Sequence, residues 1–109
     1  MTPAILYHGT VKCYSESIEK DGLLKLKNKH VYLTDNTDHA YKEALKHGLP
    51  VVICIVDAQE MINNGYVFEH NNDEWLIDHA PSKYILQVQI EKYQELKQLE
   101  QLILSRKEN

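Results

Sequence analysis

The run Val51-Val52-Ile53-Cys54-Ile55-Val56 constrains the fold of this chain more than any other segment. It is continuous, β-branched apart from its cysteine, and too short for a globular helix, so it reads as a buried strand. Pro50 precedes it and Asp57-Ala58 follows it. A buried strand needs partners, and the remaining chain supplies them in short pieces. Residues 3–7 read as a strand ending in Tyr7-His8-Gly9-Thr10, and residues 30–34 as another. Residues 66–69 and 74–77 follow, separated by the polar turn His70-Asn71-Asn72-Asp73, and residues 84–90 alternate as a half-buried strand does.

Between these runs lie helix signals. Residues 15–20 form a short helix closed by Asp21-Gly22, with the glycine in the positive-φ position that ends helices. Asp35 or Asn36 caps a helix over residues 37–47, which Gly48 and Pro50 end. Residues 58–63 form a third helix, stopped by Asn64-Gly65. From about residue 91 to 106 the period becomes helical, with Tyr93, Leu96, Leu99, Leu102 and Ile103 on one stripe. That stripe is a docking face for this domain or for a protein partner. The expectation is an α+β fold with five or six short strands in a largely antiparallel sheet.

At 109 residues the chain fits a single domain, residues 1–109. A net charge of −4 argues against strong sequence-independent nucleic-acid binding. Eleven of the twelve basic residues are lysine; Arg106, near the C-terminus, is the exception. Lys25, Lys27 and Lys29 form a solvated loop or, on the sharper reading, a patch for phosphate. Cys13 and Cys54 suit neither a disulfide framework nor a metal knuckle, and Cys54 reads as a buried hydrophobe. The start Met1-Thr2-Pro3-Ala4 has no signal-peptide pattern, and no apolar run nears the ~20 residues of a membrane span. The expected compartment is the cytoplasm, with no membrane contact. The histidines (His8, His30, His39, His47, His70 and His79) show no zinc-type spacing, so no metal is expected.

Three positions draw attention for chemistry. His8 ends a strand beside Gly9, whose backbone N–H and C=O suit a carboxamide that needs one donor and one acceptor. Tyr32 lies between Val31 and Leu33, so its ring faces away from both. Glu74 opens a strand beside Trp75, a placement that aims it into a cleft. Only the fold can bring the three together.

At these residues the chain resembles the catalytic half of the RNA 2′-phosphotransferases. The similarity is carried by Leu6-Tyr7-His8-Gly9-Thr10, by Ile18 through Gly22-Leu23, and by His30-Val31-Tyr32-Leu33-Thr34. It continues through Pro50-Val51-Val52-Ile53, Asp57-Ala58 with Met61, and Gly65-Tyr66-Val67-Phe68. Trp75-Leu76, Pro81 and Tyr84-Ile85 complete it. The resemblance covers about residues 5–86 and implies the wider ADP-ribosyltransferase fold. In that fold two small, mostly antiparallel sheets form a cleft for NAD, here joined by short helices and a C-terminal helix.

Two departures shape the expected function. Where the phosphotransferases usually have a second histidine and an apolar residue, this chain has Tyr32 and Glu74. The trio His8, Tyr32 and Glu74 thus resembles the His-Tyr-Glu signature of poly(ADP-ribose) polymerase-like transferases. The phosphotransferases also use arginines to hold the 2′-phosphate and carry an extra N-terminal lobe, and this chain is expected to lack both. Lysine substitutes poorly in bidentate phosphate recognition. The leading expectation is therefore an enzyme, an NAD-dependent mono-ADP-ribosyltransferase acting on an unidentified protein, nucleic-acid or small-molecule acceptor, as a toxin or effector. The alternatives are an RNA 2′-phosphotransferase, an NAD glycohydrolase, and an NAD or ADP-ribose binding module without turnover.

The resemblance also implies roles. Glu74, His8 and Tyr32 are the expected catalytic residues, with Asp73 or Glu69 replacing Glu74 if the register shifts. NAD, a substrate here, is expected to contact His8, Gly9, Thr10, Tyr32 and Thr34, with Tyr41 as a second face for the nicotinamide.

Overall fold

The computed structural model describes residues 1–107, with side chains through residue 105. In chain order the elements are β1 (Ile5–Val11), α1 (Ser15–Asp21), β2 (Leu23–Leu24), β3 (Val31–Leu33) and α2 (Thr37–His47). Then come β4 (Val51–Asp57), α3 (Ala58–Asn63), β5 (Glu69–Asn71), β6 (Glu74–Ile77), β7 (His79–Ala80), β8 (Ile85–Ile90) and α4 (Tyr93–Lys107). Single 3-10 turns at Lys12–Tyr14 and Ser82–Tyr84 lead into α1 and β8.

Every strand pairing is antiparallel. One three-stranded sheet runs β1-β4-β8, a second runs β3-β6-β5, and β2 with β7 forms a two-stranded ribbon. The α+β expectation stands. The strand of residues 51–56 is the centre of the first sheet, and both its faces are covered. Cys54 and Val56 join Leu6, Leu33, Met61 and Trp75 in a core between the two larger sheets. Val51 and Ile53 join Tyr7, Ala40, Ala44, Ile90 and Leu96 in a second core under α2 and α4. Burial on both faces is why this strand reads as a solid apolar run rather than an alternating one.

The stripe on α4 is used within the domain. Leu96 is fully buried, and Leu99 and Ile103 pack against the same core, whereas Leu102 is exposed. Glu95 folds back onto the N–H groups of Glu91 and Lys92, capping the helix start. Lys97 bonds Asp38 at 3.0 Å and Glu100 at 3.1 Å, and Tyr93 donates to Asp38, so α4 is clasped to the first turn of α2. That use of the stripe leaves the expected protein partner at this helix without support.

Several boundaries differ from the sequence reading. β1 does not end at Tyr7 but continues through Val11, because His8, Gly9 and Thr10 stay in register with Cys54, Ile53 and Val52. The strand expected over residues 66–69 begins only at Glu69, and the turn shrinks to Asn72-Asp73, with Asn72 at φ 58°. Tyr66 instead binds the end of α3 through Met61 and packs its side chain on the core. The β2–β7 ribbon has no counterpart in the sequence reading. Two residues per strand are too few to show a period.

Candidate functional site

A single backbone junction organises the site. The two larger sheets meet where Tyr7 and Thr34 exchange hydrogen bonds, Tyr7 N–H to Thr34 O at 2.7 Å and Thr34 N–H to Tyr7 O at 2.9 Å. Backbone groups alternate edges along a strand. Tyr7 turns its N–H and C=O to β3, and Lys12, of opposite parity, donates across to Pro50 before β4. Gly9 shares the parity of Tyr7, so its N–H and C=O emerge on the β3 side, just beyond the junction.

The missing side chain of Gly9 has a separate consequence. A Cβ at this position lies 1.8 Å from the Ala40 carbonyl oxygen and 2.7 Å from its carbon. Glycine at residue 9 is thus what lets α2 lie flat on β1. The close approach that the sequence suggests for a ligand is taken up by a helix, and only the backbone edge faces the site.

His8 is half-buried, and its Nδ1 lies 2.9 Å from the Tyr32 carbonyl oxygen. A carbonyl only accepts, so Nδ1 carries the proton and Nε2 remains an acceptor in the neutral ring. Burial pushes the imidazole pKa down, partly offset by this bond, and the nearby His47 also lowers it. Tyr32 keeps its ring on the side away from the buried Val31 and Leu33, edge-on to His30 at 6.3 Å between centroids. Glu74 opens β6 opposite Asn71. Alternation sends the neighbouring Trp75 into the core, stacked on His70 at 4.1 Å.

His8, Gly9, Tyr32, Thr34 and Glu74 all line one cavity of about 570 Å³, within the size range of small-molecule sites. A second cavity of about 300 Å³ adjoins it, sharing His8, Asn28, Tyr32 and His47 and bounded by Thr10, Leu24 and Leu26. Thr10 lines only the second cavity, and Tyr41 lines neither. The Tyr41 ring packs edge-on against Tyr93, 5.6 Å away under α4. Of the alternative carboxylates, Asp73 sits in the exposed turn and Glu69 borders a different cavity.

Three cavity residues escaped the sequence reading as a group. His39, Glu43 and His47 lie on α2 at successive four-residue steps and together form one wall. The spacing was visible in the sequence; the face it turns to was not. Lys46 bonds Glu43 at 3.0 Å and holds its carboxyl below the usual range. Lys25 pairs loosely with Asp78 at 3.9 Å, and none of Lys25, Lys27 and Lys29 lines either cavity. Among the described residues no group of three or more His, Cys, Asp or Glu is placed to hold a metal ion. No helix among them is long and apolar enough to cross a membrane.

The family described as RNA 2′-phosphotransferase, Tpt1/KptA, matches residues 1–79. A probable RNA 2′-phosphotransferase of Fusobacterium nucleatum is 39% identical over 84 residues, covering 76% of this chain and 47% of the relative. That of Flavobacterium johnsoniae is 40% identical over 81 residues, with coverage of 73% and 44%. A Pyrococcus horikoshii protein of the same description is 33% identical over 78 residues, with coverage of 71% and 44%. The chain spans about half the length of these curated relatives.

These matches overturn the expectation of a toxin-like mono-ADP-ribosyltransferase. Its two supports were the scarcity of arginine and the residues at positions 32 and 74, and both positions lie inside the matched span. Scarcity of one residue type removes one way of gripping a phosphate; it does not outweigh an ordered match through the strands that build the cavity. The chain belongs to the RNA 2′-phosphotransferase family.

Proposed function

We propose that this chain binds NAD with its nicotinamide half in the 570 Å³ cavity and uses it to take the 2′-phosphate from an RNA. The observation that carries the reading is the convergence, from separate stretches of a family member, of His8, Gly9, Tyr32, Thr34 and Glu74 on one cavity. The N–H and C=O of Gly9 hold the nicotinamide carboxamide, one as donor and one as acceptor. Tyr32 stacks on the nicotinamide ring, and Thr34 supplies a hydroxyl nearby. The neutral His8 accepts a hydrogen bond at Nε2 from the adenosine-side ribose. Glu74 accepts one from the 2″-hydroxyl of the nicotinamide-side ribose.

In the first step a phosphate oxygen on the RNA attacks C1″, and the C1″–nitrogen bond breaks. Nicotinamide leaves with the electron pair and becomes neutral. Positive charge develops on the ribose ring in between, and the carboxylate of Glu74 stabilises it; preorganised groups of this kind contribute a few kcal/mol. In the second step the 2″-oxygen attacks phosphorus, the bond from phosphorus to the RNA 2′-oxygen breaks, and the proton given up by the 2″-hydroxyl ends on the 2′-oxygen. The products are RNA with a free 2′-hydroxyl and an ADP-ribose cyclic phosphate.

The test is incubation with NAD and an oligoribonucleotide bearing one internal 2′-phosphate. Equal molar amounts of nicotinamide and dephosphorylated RNA are expected. Tight NAD binding with the RNA phosphate retained would leave a binding module and refute the reading. Glu74→Gln is expected to slow nicotinamide release by about 10²–10³ while NAD still binds. An unchanged rate removes Glu74 from the mechanism.

A further inference from the structure

The two adjoining cavities raise a question of charge. A dinucleotide is two nucleosides joined by a diphosphate, so with one nucleoside in each cavity the diphosphate crosses their junction. The residues shared by both cavities are His8, Asn28, Tyr32 and His47. No lysine or arginine lines either cavity among the described residues. Of the shared four, only the two histidines can carry positive charge, and His8 already commits its Nδ1 proton to the Tyr32 carbonyl. His47 is exposed in the last turn of α2.

We propose that His47 is the diphosphate grip of this site and that it binds the dinucleotide in its protonated form. The inference rests on the NAD reading above and extends it to a residue with no role there. The charged and titratable groups around His47 are compatible with such a switch. Glu43, one turn earlier on α2, is held by Lys46. His8 on β1 interacts with His47 electrostatically, and burial keeps it neutral. Tyr14, Tyr32 and His30 border the smaller cavity, and Glu74 lies in the larger one.

A bound anion favours the imidazolium, so binding takes up a proton and affinity rises as pH falls through the range where imidazoles titrate. One charge-assisted hydrogen bond corresponds to about a ten- to hundredfold gain.

The experiment is isothermal calorimetry with NAD and, separately, with inorganic pyrophosphate, from about pH 8 to about pH 5.5. Buffers of different ionisation enthalpy report the protons taken up. Wild-type protein is expected to bind NAD about tenfold or more tightly at the acid end, with proton uptake. His47→Gln is expected to lose both the slope and the uptake with its melting temperature unchanged. His39→Gln, which alters only the larger cavity, keeps them. NAD binding without pH dependence in the wild type overturns the grip and leaves the NAD reading standing. So does a slope that survives in His47→Gln but vanishes in His39→Gln. Pyrophosphate binding with His47-dependent proton uptake, but no NAD binding, supports the grip and removes the dinucleotide. Binding of neither ligand overturns both.

Discussion

Replacing Gly9 with alanine separates two reasons for a glycine at the edge of a ligand site. If glycine is there to admit a ligand, the variant folds normally and only binding suffers. If it is there to admit α2, the fold itself is damaged. The added Cβ lies 1.8 Å from the Ala40 carbonyl oxygen, and real Cβ contacts below 3.0 Å essentially do not occur. The helix must therefore move by about 1.2 Å, the difference between those two distances. Ala40 and Ala44 are buried against Tyr7 and Ile53, so that movement opens the second core along much of its length. Overpacking of this kind costs about 1–3 kcal/mol and occasionally more. For a domain of this size each kcal/mol lowers Tm by about 4–8 °C. A fall of about 4–24 °C in thermal unfolding followed by circular dichroism is expected. Gly9→Ala/Ala40→Gly is not expected to recover it, because the clash is with a backbone oxygen. A Tm for Gly9→Ala within about 2 °C of wild type would refute the helix-packing account.

Other outcomes follow from the same structure. Burial lowers the folded-state pKa of His8, so below about pH 6.5 the unfolded chain takes up a proton that the folded one refuses. Stability contributed by the neutral ring is present at higher pH and falls by at most about 1.4 kcal/mol per pH unit on acidification; urea titrations of wild type and His8→Gln from pH 8 to 5 measure the difference. Burial pushes the Cys54 thiol up to about 12, while Cys13 is exposed. Iodoacetamide at about pH 8 is expected to add one adduct to the native protein and two in denaturant, as read by mass spectrometry. Leu96→Ala is expected to cost about 2–5 kcal/mol and Leu102→Ala less than about 0.5 in denaturant unfolding, since one is fully buried and the other exposed. Equal costs would contradict the docking of α4.

The helices over residues 37–47 and 58–63, the strand from Val51 and the strand from Glu74 were all legible in the amino-acid sequence. Each is marked by local chemistry: a cap at Asn36 or Asp57, a stop at Gly48 or Asn64, a β-branched run, a short apolar run after a polar turn. Such signals depend on neighbours a few positions away. The β2–β7 ribbon depends on pairing between residues far apart in the chain, which no local signal reports. The ordered motifs that carry the family resemblance are equally present in the sequence, whereas the scarcity of arginine is a matter of composition and says nothing of which strands meet.

The site divides along the same line. The identities of His8, Tyr32 and Glu74 drew attention because of what they are and which strands they occupy. That Gly9 yields its Cβ space to Ala40, that Tyr41 turns under α4, and that His47 stands where two cavities meet were decided by packing alone. Periodicity reports which face of an element is buried or exposed, and it says nothing of what that face meets. What it meets is set by the closure of sheets and helices on one another, through contacts between residues far apart in the chain.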